Sequence, residues 1–163
     1  MNKTKLDSTS EQNILNMLME SSVISSDQMS KINSTSAEIG KSKLETAFEL
    51  NFANENEILK ILSTTYSLPI IDLQKYKIDS KIKKIIDSRY IVDHSLVPFE
   101  ISGETLKVAI ADGSKLSLMK NLKTMTKMEP ELYAASITNI NEFIERLTKM
   151  DGKKVSEHNA KIE

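Results

Sequence analysis

The chain has 163 residues, enough for one domain or two small subdomains with an apolar core. Hydrophobic residues make up 39% and charged residues 28%, a balance that excludes wholesale disorder, and a net charge of -1 gives no electrostatic footprint for nucleic acid or an anionic membrane. With no cysteine, disulfides, thiolate zinc sites and cysteine nucleophiles are excluded, in keeping with a cytosolic home.

Residues 1–9 are polar and rich in Ser and Thr, and are expected to fray. Met1 to Ser10 lacks the basic-then-apolar pattern of a signal peptide. No apolar run approaches the roughly 20 residues that a membrane span needs, so no direct membrane insertion is expected.

Four short helices are predicted across residues 10–66. The first runs from about Glu11 to Ser21, with Ser10 as its N-cap and Ile14, Leu15, Leu18 and Met19 on one face. The second follows Ser25 as cap and buries Met29 and Ile32. The third spans about Lys41 to Leu50, with Leu44, Ala47 and Phe48 inward. The fourth, about Asn54 to Tyr66, buries Ile58, Leu59, Ile61 and Leu62.

These helices read as two copies of one unit, offset by 29 residues. Ile14-Leu15-x-x-Leu18-Met19 aligns with Lys43-Leu44-x-x-Ala47-Phe48, and Val23-Ile24-Ser25 with Phe52-Ala53-Asn54. A single hairpin cannot cover its own apolar stripe, so two are expected to pack as a small bundle.

After Pro69 the pattern changes. Pro69-Ile70-Ile71-Asp72-Leu73 reads as a short strand, and Ile78, Ile82, Ile85 and Ile86 mark an amphipathic helix. Leu96–Ile101 and Thr105–Ile110 are two strands joined by Ser102-Gly103-Glu104, a hairpin signal. Asp112-Gly113-Ser114 ends the second strand and caps a helix from about Lys115 to Thr126. Glu131–Ala135 is a further strand, and Thr138 caps a last helix with Ile140, Phe143, Ile144 and Leu147 on one face. From Lys149 the apolar period lapses, so residues 149–163 read as a polar tail or linker. The expected fold class is α+β: a pair of helical hairpins (residues 10–66), then a small mixed sheet packed with helices (residues 67–148).

Few residues invite a chemical role. Gly40-Lys41-Ser42 resembles the end of a P-loop, but Thr35 stands where the first glycine belongs and Asn33 to Ser36 is polar, so a turn between helices is the better reading. His94 and His158 are far apart in sequence and have no metal-ligand spacing around them. His94 beside Ser95 makes no triad, because neighbours on a strand point to opposite faces. No metal or catalytic cluster is expected. The internal methionines lie at core spacing. Lys81, Lys83 and Lys84 on one helix, and Lys115, Lys120, Lys123 and Lys127 on another, form the most basic region. A solvated face is the plain reading for any one lysine, and a docking face for an acidic partner is the functional one.

Tyr66 to about Leu147 resembles the N-terminal domain of type II secretion and type IV pilus assembly ATPases. The resemblance lies in Tyr66-Ser67-Leu68-Pro69-Ile70-Ile71-Asp72-Leu73, in Leu96-Val97-Pro98 and in Ser102-Gly103-Glu104-Thr105-Leu106-Lys107-Val108-Ala109-Ile110-Ala111-Asp112. Ser67 and Gly113 depart from the family's Gly and Pro, and Asp112 matches a family position with a structural role. The helical units before Tyr66 stand where the family has tandem repeats. The resemblance implies a non-catalytic domain that docks an ATPase onto cytoplasmic parts of inner-membrane assembly proteins. Some members also bind cyclic di-GMP through repeats that open with Arg-Leu-Gly and carry Gly-x-Ile about nine residues on.

Here those marks read Asn13-Ile14-Leu15 with Ser22-Val23-Ile24, and Ser42-Lys43-Leu44 with Asn51-Phe52-Ala53. Both arginines, which could pair bidentately with phosphate, and all four glycines, which would let it approach the backbone, are replaced. The expectation is therefore an adaptor without cofactor, cytoplasmic and held at the membrane only through a partner. Lys81, Lys84, Lys120, Lys123 and Lys127 are its candidate contacts, and a divergent cyclic di-GMP sensor is the alternative. The chain is expected to be either part of a longer ATPase or a freestanding adaptor, and its sequence does not set an oligomeric state.

Overall fold

The computed structural model describes the backbone of residues 8–162 and the side chains of residues 8–150. The first half is the predicted pair of hairpins: α1 (Ser8–Glu20) and α2 (Ser26–Ile39), then α3 (Lys43–Glu49) and α4 (Glu55–Tyr66). Each helix hides one apolar stripe, through Ile14, Leu15 and Leu18, then Ile32, then Leu44 and Ala47, then Ile58 and Leu62. Helix α1 starts earlier than its sequence suggests. Ser10 is no cap: it lies in the first turn, fully buried, with its Oγ 3.4 Å from Ser114 Oγ.

The repeat holds atom by atom. Val23 N–H donates to Leu18 O and Phe52 N–H to Ala47 O; Ser22 N–H donates to Met19 O and Asn51 N–H to Phe48 O. The caps repeat as well. Ser25 Oγ accepts from Gln28 N–H and Asn54 Oδ1 from Glu57 N–H, each ending a turn that reverses the chain. At the far ends Gly40 and Ser67 are left-handed C-caps, and the hydroxyls of Ser36 and Ser63 donate to the carbonyls of Lys41 and Leu68. That device recurs after 27 residues rather than 29, because α4 has 12 residues where α2 has 14.

Two short helices, α5 (Ser80–Ile85) and α6 (Ser88–His94), replace the single helix expected after Ile78. Asp79 and Asp87 each cap the helix that follows, and Ile86 in extended backbone separates the two. Strands β1 (Val97–Ser102) and β2 (Thr105–Ile110) form the hairpin, antiparallel, with Gly103 at φ +61° in its turn. The chain then crosses through a 3-10 segment (Gly113–Leu118) and α7 (Met119–Thr126) to β3 (Glu129–Ala134), which pairs parallel with β2. The result is a mixed three-stranded sheet of order β1-β2-β3. Leu106, Val108, Ala109 and Ile110 of β2 are all buried, as its central place requires. Phe99, at the bulge of β1, stacks edge-on against Tyr76 and Tyr133 at 4.8 and 5.3 Å between ring centres. The α+β class and the mixed sheet agree with the sequence reading.

Two further expectations change. Pro69–Leu73 forms only one parallel bridge, Ile70 to Ala134, before a 3-10 turn (Leu73–Lys75), because Asp72 caps that turn through Gln74 N–H. Ser136, not Thr138, caps α8 (Ile137–Ile162), accepting from Asn139 N–H at 3.1 Å. Helix α8 runs on through Ile162, past the point where the apolar period lapses. The stretch after Lys149 has no proline, and Gly152, which costs a helix about 1 kcal/mol, lies within the helical span.

Candidate functional site

The marks at which the repeats depart from the family pattern are filled by the fold itself. Leu15 and Leu44, in the place of glycines, are each 1% exposed and belong to the core. Asn13, in the place of the first arginine, accepts from Gly113 N–H through Oδ1 at 3.0 Å. Ser42, in the place of the second, caps α3 by accepting from Glu45 N–H at 3.1 Å. Ser22 and Asn51, also in the place of glycines, still hold the left-handed backbone at φ 61° and 60°. The backbone of the repeat is kept while its side-chain chemistry is changed. Polar side chains do gather near Asn13: Ser8, Thr9, Gln12, Asn16 and Ser114 join it around an open groove of about 420 Å³.

Besides Ser10 on Ser114, further contacts tie the hairpins to the sheet half. Asn13 meets Gly113, and the Tyr66 ring packs where Gly113 has no side chain: a Cβ there would lie 2.2 Å from Tyr66 Oη. Glu55, in the first turn of α4, receives both the N–H and the hydroxyl of Thr138 at 2.7 and 2.6 Å, so one carboxylate serves two helix N-termini. Asp72 adds a link from the junction, accepting from Asn139 Nδ2 at 3.2 Å.

A second groove, of about 680 Å³, opens at the junction between the two halves. It is lined by Leu59, Ile70, Ile71, Asp72, Lys75, Tyr76 and Asn139. Ile70 is 53% exposed in it. Sequence reasoning missed this groove, and the only signal for it was an apolar Ile70 beside a strand-breaking Pro69.

Of the predicted lysines, Lys81 and Lys84 are exposed on α5, which packs against β1. Lys120 and Lys123 are exposed on α7 and Lys127 is its exposed C-cap; α7 packs against β3, the strand at the other edge of the sheet. Lys123 pairs with Glu129 at 2.7 Å. Lys115 differs from these: it is buried, 4% exposed. On the sheet, Glu100, Lys107 and Glu131 stand in register as an acid-base-acid row. The Glu100 hydrogen bond, at 2.8 Å, is the main cause that raises the Lys107 ammonium above its ordinary pKa. Tyr133 donates its hydroxyl to Glu131, which raises the phenol in turn.

The remaining candidates are structural. Gly40 and Ser42 are the C-cap of α2 and the N-cap of α3, so the P-loop-like triplet is a turn. His94 ends α6 rather than lying on a strand, and its ring stacks 4.3 Å from Tyr90. His158 lies outside the residues whose side chains are described. Among the described residues no group of three His, Asp or Glu could hold a metal ion, and no helix is long and apolar enough to cross a membrane.

A model of the MshEN domain matches residues 66–154. The type IV pilus assembly ATPase PilB of Myxococcus xanthus (strain DK1622) is 29% identical over 131 residues, which make up 80% of this chain and 23% of PilB. The chain therefore spans less than a quarter of that relative's length. Among solved structures, MshE with cdg superposes at a TM-score of 0.59 with 22% identity, covering 82% of this chain and 96% of that one. The N-terminal domain of XpsE gives a TM-score of 0.58 with 17% identity, over 84% of this chain and 94% of the other. These two share the fold.

Proposed function

The chain belongs to the MshEN domain family, and from that membership we propose that it is a non-catalytic module docking a secretion or pilus assembly ATPase onto the cytoplasmic part of an inner-membrane assembly protein. The observation that carries this reading is the state of the repeats. Their hairpins and left-handed turns are intact, yet Asn13 and Ser42 are engaged in internal hydrogen bonds and Leu15 and Leu44 are core. A domain that keeps its fold while giving up ligand-type side chains is suited to offering surfaces. The exposed Lys81, Lys84, Lys120, Lys123 and Lys127 are the proposed contacts for acidic groups of the partner. The domain is then cytoplasmic and meets the membrane only through that partner.

Affinity capture from the cell's own detergent-solubilised envelope, with bound proteins identified by mass spectrometry, tests this. Enrichment of an inner-membrane secretion or pilus platform protein is expected, with no heat on titrating cyclic di-GMP. No such partner, together with micromolar nucleotide binding, overturns it.

Cyclic di-GMP sensing is the second reading. The retained φ of Ser22 and Asn51 favours it, because the turns that glycine would allow are still formed. The likeness to MshE with cdg points the same way.

A further inference from the structure

The sheet does not end cleanly at β3. Ala134 N–H donates to Pro69 O at 2.8 Å and Ile71 N–H donates to Ala134 O at 2.9 Å, so Pro69 to Ile71 begins a fourth strand. Along an extended segment successive residues turn their backbone groups to opposite sides. The N–H and C=O of Ile70 therefore face away from β3. So does the N–H of Asp72, whose backbone is also extended (φ -101°, ψ 102°). None of the backbone hydrogen bonds among the described residues uses these three groups. Groups of this kind are costly to bury unpaired, and they template another strand when left open.

The side chains around this edge suit an extended chain. Among the described residues Ile70 is the most exposed of the large apolar side chains, and Leu59, Ile71 and Tyr76 continue its apolar surface into the junction groove. Two polar groups line the same groove. Asp72 Oδ1 is engaged by Gln74 N–H and Asn139 Nδ2, whereas Lys75 is exposed and enters no ion pair among the described residues. The groove thus offers two backbone donors, one backbone acceptor, an apolar strip and one cation.

We propose that the open edge at Ile70–Asp72 is a docking site for an extended segment of the inner-membrane assembly protein, which adds there as a strand, seats an apolar side chain against Ile70 and brings an acidic side chain to Lys75. The identity of the partner rests on the docking function proposed above. A second copy of this chain fits less well, since it would bring another Lys75 to the same groove. The edge is only three residues long, which guards it against indiscriminate pairing.

The test uses the full chain and the purified cytoplasmic part of the captured platform protein. Residue-resolved hydrogen exchange on the wild type is expected to show the amides of Ile70 and Asp72 slowed about tenfold or more in the complex. Ile70→Lys should weaken binding about tenfold or more, and the milder Ile70→Thr, which keeps a β-branched residue on an exposed site, should weaken it less. If the wild type binds while both amides exchange freely and Ile70→Lys binds as tightly, the edge proposal is overturned and docking stands. Failure of the wild type to bind any platform protein overturns both. Self-association lost in Ile70→Lys, without platform binding, assigns the edge to a second copy and also overturns the proposal.

Discussion

Ser22 and Asn51 sit at equivalent turns of the repeat with φ near +60°, where a side chain is strained and glycine is not. Both are exposed, so neither residue is held there by packing. Ser22→Gly is expected to stabilise the protein by about 0.5–1 kcal/mol in urea denaturation, and Ser22→Val to destabilise it by at least about 1 kcal/mol. Asn tolerates this region better than Ser, so Asn51→Gly should gain less. Tyr90 presents a different misfit. Its hydroxyl is buried without a hydrogen-bond partner among the described residues, and burial raises its pKa above the ordinary 10.0. The unfolded chain therefore loses that proton first. The stability tied to the neutral phenol is complete below pH 10 and is lost as pH rises from there through the folded value. Tyr90→Phe should match the wild type at neutral pH, or exceed it by up to about 1 kcal/mol, and should show a shallower alkaline decline in melting temperature.

Elements built from local signals were legible in the sequence. The first four helices have amphipathic faces, Ser25, Ser42 and Asn54 cap the starts of α2, α3 and α4, and β1 and β2 meet at a tight turn. What escaped depends on partners distant in the chain. Pro69–Leu73 has the composition of a strand, yet it makes one bridge, to the distant Ala134, before Asp72 caps a 3-10 turn. Thr138 has the chemistry of a cap, but Glu55 takes both its donors and Ser136 does the capping. The lysines were legible as a basic set, but not their division between α5 and α7, which the order of the strands decides. The contact between α4 and α8 is itself testable. Glu55→Ala should cost roughly 1–2 kcal/mol and speed amide exchange at Thr138, whereas Glu55→Gln, which keeps one acceptor, should cost less.

Across the whole molecule, Asn13 on Gly113, Tyr66 against Gly113 and Glu55 on Thr138 link the hairpins to the sheet half at separate points. The segment from Tyr66 to Leu73 is thereby a seam between the two halves, with Tyr66 packed on Gly113 and Asp72 bonded to Asn139. The two-residue difference between α2 and α4 bears on where the hairpins give way to the sheet. Two residues rotate the end of a helix by about 200° and shorten it by about 3 Å. After α2 the chain leaves from Gly40 in the direction that starts another hairpin; after α4 it leaves from Ser67 on the opposite side of the helix, where Pro69 and Ile71 find Ala134. A difference of little more than half a turn thus separates a helix end that leads into another hairpin from one that leads to the edge of a sheet.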